Sequence, residues 1–258
     1  MGHKAGEIEK EAHSCFAQCD FQKAGKLFKD AAEAYSLQKE HNQAAICFAS
    51  SAGAWALEAG ERPFYHSALS YEQGACQSEL AHDYEYASIL LKHAAICHEK
   101  DLDFGKFSEC FYRSKENFRK YLANSLFSPG RNKHIGGNSP DSSRRDFFHR
   151  LGLWLSLTVS CFAWGHGERP ARALFCGLSL VILSALIYTQ GFLLKDGQIF
   201  RPDFFNAFYF SMVSFTTVGY GDITPVGLTK AVVILELFCG IFIVPLFIVA
   251  LSRKYLRA

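Results

Sequence analysis

Apolar positions along the chain follow two regimes. Over residues 5–126, alanines and aromatic side chains return at helical spacing, as in Ala24, Leu27, Phe28, Ala31, Ala32 and Tyr35, with charged or amide residues between them. That period predicts amphipathic helices, six in succession. Asp20 and Asp83 stand where helix N-caps belong. Pro63 suits the first turn of a helix, just after Gly60 closes the one before. From residue 151 onward polar positions vanish over long stretches, and runs of Phe, Leu, Ile and Val take over. Between the regimes, residues 128–146 are dominated by Gly, Ser, Asn and Pro with no apolar period, which predicts a linker.

The first regime contains an internal repeat. Shifted by 63 residues, Asp20-Phe21 falls on Asp83-Tyr84, Ala24 on Ala87, Lys29 on Lys92, Ala31-Ala32 on Ala94-Ala95, Cys47-Phe48 on Cys110-Phe111, Ser51 on Ser114 and Trp55 on Phe118. The register runs without a gap, so a unit of about three helices occurs twice, or one and a half helix pairs do. Small residues at the crossings let neighbouring helices approach, and each unit buries a face on the next. The segments Ala24-to-Tyr35 and Ala44-to-Trp55 resemble tetratricopeptide-like helical repeats, including those of the soluble vesicle-fusion attachment proteins. The usual tetratricopeptide period is shorter and its full consensus is absent here. The resemblance implies a surface for a protein or peptide partner; a plain helical bundle that assists assembly satisfies the same pattern.

The second regime holds three apolar segments. Leu151–Trp164 has 14 residues, about 21 Å as a helix against a hydrocarbon core of about 30 Å. Basic residues flank both its ends: Arg144, Arg145 and Arg150 before, Arg169 and Arg172 after. Both ends therefore read as cytoplasmic, and the segment as a helix at the inner interface or one that dips in and returns. A true span is the alternative and would place the N-terminal domain outside. Ala173–Leu194 carries no charge; Ala231–Leu251 carries one, Glu236. Each is long enough to cross. Arg169 and Arg172 precede the former and Arg253, Lys254 and Arg257 follow the latter, so the two run in opposite senses with both chain termini cytoplasmic. Between them Arg201-Pro202-Asp203 opens a run, Phe204–Phe215, too short to span, which Asp203 can cap.

That run leads into Thr216-Thr217-Val218-Gly219-Tyr220-Gly221-Asp222. A dehydrated potassium ion needs oxygen ligands in place of its water shell. Consecutive carbonyls from Thr217 to Gly221 can face one axis only if the backbone alternates unusually, and Gly219 and Gly221 take φ > 0 without a Cβ clash. Thr217 adds a hydroxyl at the inner mouth, while Val218 and Tyr220 wedge outward. One chain supplies a quarter of each oxygen ring, so four are needed. Irregular backbone at this depth is tolerated only where protein buries it or water lines it.

Thr216 through Asp222 closely resembles the filter of the potassium-channel pore family, as does the order span, pore helix, filter, span over about residues 171–252. The resemblance implies that Asp222 ties the filter's outer end to the pore helix; where many members place tryptophans, this chain has Tyr209 and Phe210. Gly240 falls near the family's inner-helix hinge glycine. Pro245, which removes a backbone donor, marks a kink in the same helix. Gating motion concentrates between them, or Gly240 serves close packing and the bend is static. Glu236 is costly at mid-bilayer, about 2.5–3.5 kcal/mol on insertion scales. It faces the pore as a fourfold ring that concentrates cations, or it hydrogen-bonds behind the pore helix.

Composition narrows the rest. Formal net charge is +2, which gives no field for nucleic acid. Nine scattered cysteines form no C-x-x-C pair and no Cys/His group of zinc-finger spacing, so they read as reduced thiols rather than a disulfide framework. The polar start predicts no cleavable leader, and Gly6 in place of Ser or Thr argues against myristoylation of Gly2. No segment carries arginine at every third position, no G-x-G-x-x-G follows a strand, and no nucleophile–base pair stands out. These absences exclude a voltage sensor, that kind of nucleotide domain and an enzyme. His166 and Glu168 lie in a compact turn before the first full span and read as helix breaking, with a pH or inter-subunit role as the alternative.

The reading is an all-α chain: a tetratricopeptide-like helical-repeat domain over 1–127, linker 128–146, interfacial helix and turn 147–170, and a two-span pore domain 171–258. Its spans cover about 171–194 and 228–252, its pore helix 203–215 and its filter 216–222. The expected function is passive, potassium-selective conduction by a homotetramer in the lipid of the cell membrane. Potassium is the permeant ion, no other cofactor is expected, and the repeats bias opening. The rival is a membrane-anchored helical-repeat adaptor whose pore module does not conduct.

Overall fold

The structure, a computed structural model, describes residues 2–60, 62–127 and 144–256. The chain divides into two compact units, residues 1–158 and 159–258.

The first unit opens with six helices: α1 (Gly2–Ala17), α2 (Phe21–Leu37), α3 (His41–Leu57), α4 (Pro63–Leu80), α5 (Tyr84–Lys100) and α6 (Phe104–Phe127). Each packs chiefly on its neighbours in sequence, as expected of a stacked repeat. Alanines make the crossings close: Ala24, Ala31, Ala32, Ala44, Ala52 and Ala54 are fully buried. Asp20 and Asp83 cap α2 and α5 by accepting from the N–H groups of Lys23 (3.1 Å) and Tyr86 (3.0 Å). Asp103 does the same for α6 through Lys106 N–H (3.0 Å). Every connection between these helices holds a non-glycine residue at positive φ: Cys19, Lys39, Arg62, His82 and Leu102.

The 63-residue repeat is visible in side-chain chemistry. Ser51 donates to the carbonyl of Gly25 (2.7 Å), and Ser114 donates to the equivalent carbonyl of Ser88 (2.9 Å). Tyr35 Oη donates to Glu9 (2.8 Å), and the Cys47 thiol bonds the same carboxylate. One unit later His98 Nε2 lies 2.5 Å from Glu72 Oε1, and the Cys110 thiol bonds Glu72. Burial, reinforced by the adjacent carboxylate, pushes both thiols up to about 12, so neither is a reactive thiolate.

α7 (Arg144–Trp164) is 21 residues long, so it begins within the expected linker and takes in the arginines that flank the apolar run. Residues 128–143 of that linker lie outside the described residues. A short 3-10 turn, Gly165–Gly167, follows, with positive φ at all three residues, and Pro170 then starts α8 (Pro170–Tyr188). After α8 come β1 (Phe192–Lys195), β2 (Gln198–Phe200), α9 (Phe204–Phe215), β3 (Ile223–Val226) and α10 (Thr229–Leu256). Among the described residues two helical stretches are long and apolar enough to cross a membrane, Pro170–Tyr188 and Thr229–Ser252. The fold is thus helical throughout, with one small sheet.

The first of these stops short of the expected Leu194. Thr189 is its C-cap, and the Arg201 guanidinium donates to the carbonyls of Thr189 (3.1 Å) and Gln190 (3.4 Å) that the helix leaves open. The remaining residues turn into a hairpin. Asp196 and Gly197, both at positive φ, make its two-residue loop, the conformation a right-twisted hairpin favours. The sheet order is β2-β1-β3, all antiparallel, with Pro225 confined to the edge strand β3. Thr229 Oγ1 accepts from Val226 N–H (3.0 Å) and lies 3.2 Å from the carbonyl of Phe192, so it ties the sheet to the start of α10. Under the sheet, Ala185, Tyr188, Leu193, Ala207, Phe210, Ile223 and Val233 form one core.

Candidate functional site

α9 is twelve residues long and capped at its start by Asp203, whose carboxylate accepts from Asn206 N–H (3.3 Å). At its end Thr216 returns its hydroxyl to the carbonyl of Met212 (2.7 Å). The chain then folds back on the last turn: Thr217 N–H bonds Ser214 O (2.9 Å), and Val218 and Gly219 N–H bond Val213 O (3.1 and 3.4 Å). From there φ is positive at every second residue: Thr217 (58°), Gly219 (55°) and Gly221 (78°), and not at Val218 or Tyr220. Alternating handedness turns successive peptide planes the same way, whereas in a strand successive carbonyls point to opposite sides. Left-handed backbone is cheap for the glycines but strained for β-branched Thr217. Val218 (55 %) and Tyr220 (71 %) are exposed on their own chain. The phenol of Tyr209 lies beside Asp222, beyond the last glycine.

Behind α9 lies a buried acid. Glu236 on α10 is 2 % exposed. Tyr188 Oη donates to one of its oxygens (2.6 Å), and the Ser211 hydroxyl is in short contact with the other while also lying 2.9 Å from Val181 O. Ser184 also faces the carboxylate. Of the two placements weighed for Glu236, its hydrogen bonds within one chain favour the one behind α9. The physical reason is solvation: the Tyr188 and Ser211 hydroxyls, from α8 and α9, satisfy the carboxyl inside one chain. Tyr188, Ser184 and Ser211 were missed as partners, although polar residues inside apolar segments are themselves a signal.

Gly240 is a close-approach position. A Cβ there would sit 2.2 Å from the carbonyl oxygen of Phe215, backbone that cannot swing aside. Pro245 lies inside α10. His166 is buried with Nδ1 3.0 Å from Ser160 Oγ, and Arg172 donates to Cys161 O (3.0 Å), so both groups brace the turn before α8.

The family described as "Ion channel" matches residues 175–257, from the first turns of α8 through α10. No curated protein and no solved structure matches the chain. The match supports an ion-channel pore module in a membrane, and its span includes the irregular segment after α9.

Proposed function

We propose that the protein is a potassium-selective channel subunit, four copies of which surround one pore. The observation that carries this reading is the alternation of φ along Thr217–Gly221, which aligns successive carbonyls as a stack of ligands for a dehydrated cation. Thr216, Tyr209 and Asp222 brace that stack from the side. The exposed Val218 and Tyr220 pack against neighbouring copies, which complete each oxygen ring. Both termini face the cytoplasm, following the basic flanks of the two spans, and the helical repeats modulate opening through a protein or peptide partner.

Flux into liposomes tests this. The full chain should take up potassium over sodium and be blocked by barium, and Gly219→Ala should abolish uptake while the tetramer persists. A folded tetramer that conducts neither ion, as full chain or as residues 144–258, overturns the reading. Uptake only without the repeats makes them an inhibitory gate.

A further inference from the structure

We propose that Glu72, His98 and Cys110 form a binding site for one divalent transition-metal ion of the zinc class. The three side chains come from α4, α5 and α6, and their ligand atoms all lie within 4.8 Å of one another. An imidazole, a thiol and a carboxylate are the donors that zinc accepts together, whereas the sulfur disfavours magnesium and calcium. His98 and Cys110 are buried, at 0 % and 2 % exposure. The Glu72 side chain, 28 % exposed, opens a route for the ion and a place for water as fourth ligand.

The molecule contains its own control. At the equivalent positions the first repeat holds Glu9, Tyr35 and Cys47 in the same mutual contacts. A phenol therefore meets the packing and hydrogen-bonding demand of this position, and only the second repeat carries a metal-binding imidazole there. Among the described residues His98 Nδ1 has no hydrogen-bond partner, so no bond from them on that side resists a tilt of the ring. Seating an ion with bonds of about 2.0–2.3 Å would part Nε2 and Oε1 by about 1 Å. The Cys110 thiol would release its proton to solvent on binding. The three residues stand far apart in sequence, outside the spacing of zinc-finger motifs. The site lies wholly within the first unit and does not rest on the channel reading.

The test uses the full chain in detergent, stripped of metal and titrated with zinc and with cobalt(II). One ion should bind per chain, and cobalt should give the thiolate charge-transfer and tetrahedral ligand-field bands. His98→Tyr, which installs the first repeat's residue, should keep the helical signal and weaken binding by at least about 100-fold. Tyr35→His should raise the stoichiometry to two. Failure of the native chain to bind, or cobalt bands that survive unchanged in His98→Tyr, overturns the proposal. If Cys110→Ser folds and retains the charge-transfer band, the thiolate belongs to another site and the proposal equally fails.

Discussion

The two units bury carboxylates in opposite ways. In the helical repeats Glu9 and Glu72 sit at helix crossings, each beside a ring that donates or shares a proton, with water within reach of the Glu72 side chain. In the membrane unit Glu236 is almost fully enclosed, and its hydrogen-bond partners among the described residues are hydroxyls. The second unit exposes Phe205, Phe175, Ile234 and Leu235, which suits lipid or a neighbouring copy. The contrast teaches that a buried acid takes its partners from what each environment supplies: titratable rings in a water-bathed stack, neutral hydroxyls within apolar surroundings.

Removing an acid breaks the comparison at its strongest point. Glu236→Ala leaves the Tyr188 hydroxyl buried without an acceptor and the Ser211 hydroxyl with the Val181 carbonyl alone, and should cost about 3 kcal/mol, read as thermal unfolding of the detergent-solubilised protein. Glu236→Gln keeps the hydrogen bonding and should stay within about 1 kcal/mol of the native chain. Equal damage in both variants would mean that charge, not hydrogen bonding, holds α8, α9 and α10 together.

Gly240→Ala comes next, at about 2 kcal/mol, because the added carbon meets backbone rather than a side chain. A variant of native stability but altered opening would restore the hinge reading over close packing.

Tyr35→Phe addresses the repeats and should cost about 1 kcal/mol through the lost bond to Glu9. It should also remove an alkaline limb. The hydrogen bond that the Tyr35 phenol donates to Glu9 pushes it from 10.0 up to about 12. That stabilisation is whole below the ordinary phenol range and is lost as pH rises through the folded value. Chemical denaturation between pH 9 and 12 should therefore steepen with pH in the native chain more than in the variant.

The smallest effect is a gain. Leu102 is exposed and left-handed, so Leu102→Gly should stabilise the first unit by about 0.5–1 kcal/mol in a denaturant midpoint.

What was legible in the sequence was local. Helix period, the Asp20 and Asp83 caps and Pro63 each act within one turn, and the structure places helices α1–α6 where they point. The backbone of Thr217–Gly221 was equally readable, since Gly219 and Gly221 state their own conformational requirement. The sheet was not read, because apolar residues up to Leu194 extended the hydropathy of α8 and short apolar runs do not distinguish strand from helix. The Asp196-Gly197 pair was the available signal. Glu236's partners lie on two other helices, and nothing in linear spacing joins them. Glu72, His98 and Cys110 were hidden for the same reason, although the 63-residue shift that aligned Cys47 with Cys110 also carries Glu9 onto Glu72 and Tyr35 onto His98.

The sheet has a mechanical consequence. β1 continues from α8 and β3 leads into α10, and the two strands are hydrogen-bonded over Phe192–Lys195 and Ile223–Val226. The two long helices are thus riveted at one end, and sliding past each other would break the ladder. What remains is a pivot. α10, 28 residues long, is a lever of about 42 Å, so a tilt of about 10° at the riveted end sweeps its far end through about 7 Å. The end beyond Pro245 is where a small rotation becomes a large displacement.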